Sequence, residues 1–209
     1  MNKSPLLLVL LLSACSFSFA QSDTVAVVKK DSAAYKDSIR TEKLFSRAIY
    51  PLIKNSKWSG VLPVEGIDEK PVPGMKYKLL VEITGFKKDS AAVKEIAGEL
   101  AEVGRIMNLH IAGGVPKENL EVVVVAHGPV LNAFLTNAAY NKKFHIDNPN
   151  VNILDQLTAN HVKFIACGQA MHFFEVPKEA MMPLVKVAIS AKVALATYRL
   201  KGFASFYGE

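Results

Sequence analysis

The sequence predicts an α/β fold in which helices cover both faces of a parallel sheet. The first observation is Leu120–Ala126, in which residues 122–126 form a continuous and mostly β-branched apolar run, which is typical of a strand buried on both faces. The second is that the apolar residues between such runs repeat every three or four positions, as on one face of a helix. Because strand and helix patterns alternate along the chain, we expect right-handed crossovers between parallel strands.

The alternation begins at residue 77. Residues 77–84 are rich in β-forming side chains and end at Gly85. A helix over 93–107 follows, with Asp89 or Ser90 as its cap. The later predicted elements are a strand over 120–126, a helix over 130–140, a helix capped by Asn150, a strand over 162–166 ending before Cys167, a strand over 184–189, a helix over 191–201 and a strand over 203–207.

The first twenty residues have the pattern of a signal peptide. Lys3 provides a positive start, residues 6–12 are purely apolar, and Ser18-Phe19-Ala20 is a small-x-small cleavage site. We therefore predict an exported protein, located in the periplasm. An alternative remains open, because residues 12–15 resemble a lipoprotein box, in which Cys15 would be lipidated and would anchor the chain to a membrane.

The rest of the chain is predicted to hold one α/β domain preceded by an irregular arm. Residues 21–75 combine a polar stretch and a weak helical pattern with a segment interrupted by proline and glycine, and we interpret them as an arm that wraps around the domain. The domain covers residues 76–209. The chain carries a net charge of +6, but its lysines are scattered rather than interleaved with aromatic residues, so we expect no nucleic-acid partner.

Cys167 is the strongest candidate for a chemical role. It stands at the end of an apolar strand, where open α/β sheets place their active groups. Gly168 follows directly and allows a tight turn that brings amide N–H groups close to the sulfur, and such donors stabilise a thiolate. If cleavage after Ala20 removes Cys15, Cys167 is the only cysteine, which excludes an internal disulfide and a C-x-x-C mechanism. The alternative is a small buried apolar residue.

His127 is the second candidate, because it ends the preceding strand and sequential strands are usually neighbours. Beside Cys167, its ring could stabilise the thiolate or move a proton; the alternative is a ring that only bonds the backbone at the turn. Gly168, Gln169 and Asn108 are candidates for substrate binding through hydrogen bonds.

Other chemistries lack a supporting pattern. The remaining histidines show no paired ligand spacing such as H-E-x-x-H, so we predict no zinc site. Gly113-Gly114 lacks the surroundings of a nucleotide-binding loop. We therefore expect no cofactor.

An ordered series of segments over residues 75–207 resembles the DsrE/DsrF-like family. The matching segments are YKLLVEIT (77–84), Met107-Asn108-Leu109 with Gly114-Val115, VVVVAHGP (122–129), Asn148-Pro149-Asn150, HVKFIACGQ (161–169), and Ser190-Ala191 through Lys201-Gly202-Phe203. The resemblance implies a three-layer α/β/α sandwich with a mainly parallel sheet of about five strands. It also implies a homo-oligomer, whether dimer, trimer or hexamer.

The resemblance also suggests a function. Several family members carry sulfur as a persulfide on a cysteine at the end of a central strand, and Cys167 stands at the matching position. The implied function is an exported sulfur carrier or sulfurtransferase that exchanges sulfur with donor and acceptor proteins or small sulfane-sulfur compounds. The chain departs from the better-known carriers, which are cytoplasmic, in its signal sequence. The alternative is a non-catalytic oligomeric module that binds a small ligand or a protein.

Overall fold

A computed structural model describes residues 33–54 and 56–208, so the predicted signal peptide and Cys15 lie outside the described residues. The strands are β1 (Tyr77–Ile83), β2 (Leu120–Ala126), β3 (Lys163–Cys167), β4 (Val185–Ala188) and β5 (Ala204–Tyr207). The helices are α1 (Ala33–Phe45), α2 (Gly98–Ala112), α3 (Asn137–Phe144), α4 (Val151–Ala159), α5 (Gly168–Phe173) and α6 (Ala191–Leu200).

The five strands form one sheet in the order β4-β3-β2-β1-β5, and every neighbouring pair is parallel. Helices lie on both faces, which confirms the predicted α/β/α sandwich. Strand β2 matches the predicted residues 120–126 and has a neighbour on each side, which explains its need for apolar residues at successive positions.

The sheet separates two apolar cores. The α2-side core contains alternate strand residues such as Val122 and Val124 together with side chains of α2, α3, α4 and α5. The α6-side core contains the intervening residues Val123 and Val125, the buried face of α6, and Cys167. Helix α6 contacts β1, β2, β3 and β4. The α6-side core is therefore the environment of the candidate thiol.

Two predicted helix starts differ from the structure. Asp89 does cap a turn, because its Oδ1 accepts from the amides of Ala91 and Ala92 at 3.1 and 2.9 Å, but that turn is a short 3-10 segment and α2 begins only at Gly98. Asn150 precedes α4 as predicted, yet its side chain makes no capping bond. Its Oδ1 accepts from Ala97 N at 2.7 Å instead, which ties the start of α4 to the start of α2.

The predicted helix over 130–140 is also divided. Residues Gly128–Phe134 form a 3-10 segment, and α3 starts at Asn137. Between them the chain is extended, because Leu135 forms an antiparallel bridge to Met181. This long-range contact ends the helical pattern that the local sequence favours.

The N-terminal arm packs on α2 through its irregular part. Ile53 is fully buried in the α2-side core, and Ile49 forms an antiparallel bridge to Val61. Trp58 of the same segment is 51% exposed. Within the described ranges, no helix combines the length and apolar character needed to cross a membrane.

Candidate functional site

Cys167 occupies the junction between β3 and α5. It is the last residue of the strand and the N-cap of the helix, where its Sγ accepts from the amide of Ala170 at 3.4 Å. The residue is 6% exposed and unpaired with any other cysteine in the described part of the chain. The junction therefore provides a free thiol whose sulfur faces an amide donor.

Gly168 makes a close approach of two chain segments possible. A Cβ atom at this position would lie 2.8 Å from the carbonyl oxygen of Ala188 and 3.4 Å from that of Ile189. The first turn of α5 therefore lies directly against the end of β4. Gln169, the next predicted site residue, is exposed on the same turn.

We expect Gly168→Ala to lower the free energy of unfolding by about 2 kcal/mol, because the added methyl group meets a backbone oxygen that cannot rotate away. Urea unfolding measures the change. Gly98→Ala is the matched control, since a Cβ there has no neighbour within 4 Å and alanine favours a helix. Equal stability of the Gly168→Ala and native proteins would contradict this packing.

His127 and Cys167 each stand one position beyond the last pair between β2 and β3. Ala126 of β2 pairs with Ala166 of β3, and His127 and Cys167 are the residues that follow. His127 continues the extended backbone, with φ −149° and ψ 167°, so its side chain is on the same face as Val125, which is the α6 side. The structure thus brings the two predicted residues to one edge and one face of the sheet.

The imidazole of His127 is held by Glu82, a residue that the sequence analysis missed. Nε2 of His127 lies 2.9 Å from Oε1 of Glu82. Glu82 Oε2 lies 3.9 Å from Nη2 of Arg199 on α6, and Arg199 Nε donates to Ser205 Oγ at 2.9 Å. The only available signal was a single carboxylate near the end of an otherwise apolar strand over 79–83.

Glu99, in the first turn of α2, is a second carboxylate near His127. Its Oε2 accepts from the amide of Gly85 at 2.7 Å. Partial burial raises the pKa of Glu99 above its ordinary value, although the amides of Gly85 and Thr84 and the charge of His127 oppose the shift. Burial therefore favours the protonated form of this carboxyl group.

This raised pKa predicts a pH dependence of stability. The folded protein binds the Glu99 proton more tightly than the unfolded chain does, so this group makes the free energy of unfolding decrease as the pH rises from the unfolded value of 4.5 through the folded pKa. Glu99→Gln should weaken that decrease while its amide oxygen still accepts from Gly85. Unfolding measured at several pH values tests this, and an unchanged profile in the variant would contradict it.

Asn108 lies apart from the candidate site and has a structural role. It is fully buried in α2, where its Oδ1 accepts from the amides of Leu52 and Ile53 at 2.9 Å each. Its Nδ2 donates to the carbonyl oxygens of Ile53 and Ser59 at 2.7 and 2.8 Å. All its hydrogen-bonding capacity is used within the protein, so the structure gives no support to the prediction that it binds substrate.

Two surface grooves lie elsewhere in the described part of the protein. One, of about 630 Å³, is lined mainly by Leu44, Phe45, Trp58, Leu62 and Leu109. The other, of about 490 Å³, lies beside Trp58, Phe86 and Glu99. Neither is lined by Cys167 or His127.

Among the described residues, no group of three or more His, Cys, Asp or Glu side chains could hold a metal ion.

Comparisons with known proteins place most of this domain in one sequence family. The model of the DsrE/DsrF-like family matches residues 90–206, which include α2, Cys167 and His127. No curated protein matches the chain. Among solved structures, the protein of unknown function MTH1491 from Methanobacterium thermoautotrophicum is similar, at 17% identity and a TM-score of 0.45, over 63% of this chain and 98% of that one.

Proposed function

Because the chain belongs to the DsrE/DsrF-like family, we propose that it is a sulfur carrier or sulfurtransferase that holds sulfane sulfur as a persulfide on Cys167. The observation that carries this proposal is the position of the thiol. Cys167 ends a strand at the carboxyl edge of the parallel sheet, and Ala170 N–H points at its sulfur. An amide donor at this position stabilises the thiolate, which is the reactive form.

The transfer consists of two thiol exchanges. The Cys167 thiolate attacks the outer sulfur of a donor persulfide, R–S–SH; a new S–S bond forms, the donor S–S bond breaks, and R–S⁻ leaves. An acceptor thiolate then attacks the outer sulfur on Cys167, and the Cys167 thiolate leaves. Because the transferred sulfur keeps its oxidation state, the cycle needs neither an oxidant nor a second cysteine.

The immediate test is loading and discharge of the native chain. The protein is incubated with inorganic polysulfide, separated from it, and then treated with a small acceptor thiol while intact mass is measured. We expect a gain of one sulfur atom and its loss to the acceptor, with an equal gain in the mass of the acceptor. A chain that gains no sulfur contradicts the proposal.

Export and assembly belong to the same proposal. We infer a periplasmic protein from residues 1–20, with cleavage after Ala20 or lipidation of Cys15 as the two routes. N-terminal sequencing of the protein from cells distinguishes them.

We also infer a homo-oligomer, because Ile189, Val193 and Leu200 on or beside α6 are 68%, 52% and 90% exposed and apolar patches of this kind mark contacts. Light scattering of the purified protein measures its mass.

One observation favours a non-catalytic alternative. The groove of about 630 Å³ has the size and apolar lining of small-ligand pockets, and it is separate from Cys167. Trp58 is the only tryptophan of the chain and lines this groove, so its fluorescence reports binding. Under this alternative an apolar ligand shifts Trp58 emission, while polysulfide leaves the mass of the chain unchanged.

A further inference from the structure

We propose that Glu82 is a positioning residue that fixes the ring of His127, so that Nε2 carries the hydrogen and Nδ1 is the proton acceptor for Cys167. The inference rests on the proposed function and deepens it by assigning the proton path of sulfur loading. The three residues lie at the ends of three adjacent strands. Glu82 belongs to β1, His127 follows β2, and Cys167 ends β3.

The geometry of the pair supports this assignment. The 2.9 Å contact joins Nε2 to a carboxylate oxygen, which in its ionised form can only accept. Nε2 must therefore be the donor, and in the neutral ring Nδ1 is then the free acceptor. The side chains of His127 and Glu82 are 32% and 18% exposed, so the protein surrounds most of this contact.

The strand register places all three side chains on the same face. Glu82 pairs with Val125, so the two lie in one row. His127 and Cys167 follow on that face, each one residue beyond the last pair of β2 and β3, Ala126 with Ala166. Neighbouring strands lie about 4.8 Å apart. The imidazole and the thiol therefore belong to neighbouring strand ends on one face of the sheet, and the contact to Glu82 holds the ring from the β1 side.

This arrangement supplies the proton chemistry that loading requires. Nδ1 takes the proton of the Cys167 thiol as the sulfur attacks the donor persulfide, and the imidazolium returns that proton to the departing thiolate of the donor. The Glu82 carboxylate stabilises the imidazolium between the two steps. No other reagent enters, and the proton count is the same before and after each cycle.

Other charges face the pair from the elements around it. Arg199 on α6 places Nη2 3.9 Å from Oε2 of Glu82, so its guanidinium also contacts this carboxylate. Glu99 on α2 interacts with His127 through its charge. Substitution of Arg199 is therefore a poor test of orientation, because it removes a neighbour of Glu82 and leaves the contact to His127 in place, whereas substitutions of Glu82 itself act on that contact.

The test combines a spectroscopic and a kinetic measurement. In the native protein, ¹⁵N spectra of the His127 ring should show hydrogen on Nε2 of the neutral form. Glu82→Ala should abolish that preference and slow loading by polysulfide on the order of 100-fold. Glu82→Gln retains an oxygen that can accept from Nε2, so it should keep the tautomer and lose less rate. Glu121→Gln, at the opposite end of β2, is the matched control and should load at the native rate.

Non-additivity distinguishes positioning from a general structural effect. If Glu82 acts through His127, Glu82→Ala added to His127→Ala causes no further loss of rate. The inference is overturned if Glu82→Ala slows loading equally in the native and the His127→Ala proteins. It is also overturned if the neutral His127 ring of the native protein carries its hydrogen on Nδ1. A native chain that does not load contradicts the proposed function instead, and the ring spectra then still decide whether Glu82 fixes the tautomer.

Discussion

Cys167→Ser should abolish sulfur uptake from polysulfide without unfolding the protein. The hydroxyl group cannot form a persulfide under these conditions, whereas serine remains a good N-cap and can accept from Ala170 N, as Sγ does at 3.4 Å. We expect a loss of loading below detection and a change in unfolding free energy of about 1 kcal/mol. Intact mass after polysulfide treatment and thermal unfolding measure the two effects.

Cys15→Ser is the matched control, because Cys15 and Cys167 are the two cysteines of the sequence. In the full-length chain this variant should load sulfur as the native protein does. Undiminished uptake by Cys167→Ser would exclude Cys167 as the carrier. A native-like fold in that variant, shown by unchanged circular dichroism, ensures that lost uptake reflects lost chemistry.

Asn108→Ala should be among the most destabilising single substitutions in the domain. It removes all four bonds that the buried amide makes to Leu52, Ile53 and Ser59 and leaves backbone groups without partners. Each unpaired buried group costs about 1–3 kcal/mol. Partial hydration reduces the sum, and we expect a loss of about 4 kcal/mol in unfolding free energy, measured by urea denaturation.

Asn141→Ala is a suitable comparison, because Asn141 is exposed and its one hydrogen bond to Asp147 is 3.4 Å long. Its effect should stay within about 0.5 kcal/mol. Similar losses in the two variants would show that the contact between the arm and α2 contributes little to stability. The same pair of variants also tests function, since Asn108→Ala should retain sulfur loading under conditions where it remains folded.

The sheet was predictable because its signals are local. Apolar runs and turn residues predicted all five strands to within one or two residues, and burial on both faces explains the continuous apolar composition of residues 122–126 in β2. Helical signals were less reliable where distant segments compete with them. The bridge from Leu135 to Met181 interrupts one predicted helix, and no local pattern contains information about that partner.

Part of the candidate site was predictable because its sequence signals are also local. Cys167 follows from a strand end and a glycine, and the proximity of His127 follows from the order of neighbouring strands. Glu82 is 45 residues from His127 in sequence, and its role depends on the register between β1 and β2. The hydrogen bonds of Asn108 could not be predicted, since its partners lie 49 to 56 residues away in the arm.

The most direct test of persulfide chemistry at Cys167 is to locate the added sulfur within the chain. The native full-length protein is loaded with polysulfide, alkylated while folded, digested without reductant, and analysed by peptide mass spectrometry. We expect one additional sulfur atom between Cys167 and the alkyl group, lost when the loaded protein is treated with reductant before alkylation. Sulfur found only on the peptide containing Cys15, or an alkylated Cys167 peptide without added sulfur, would contradict the account.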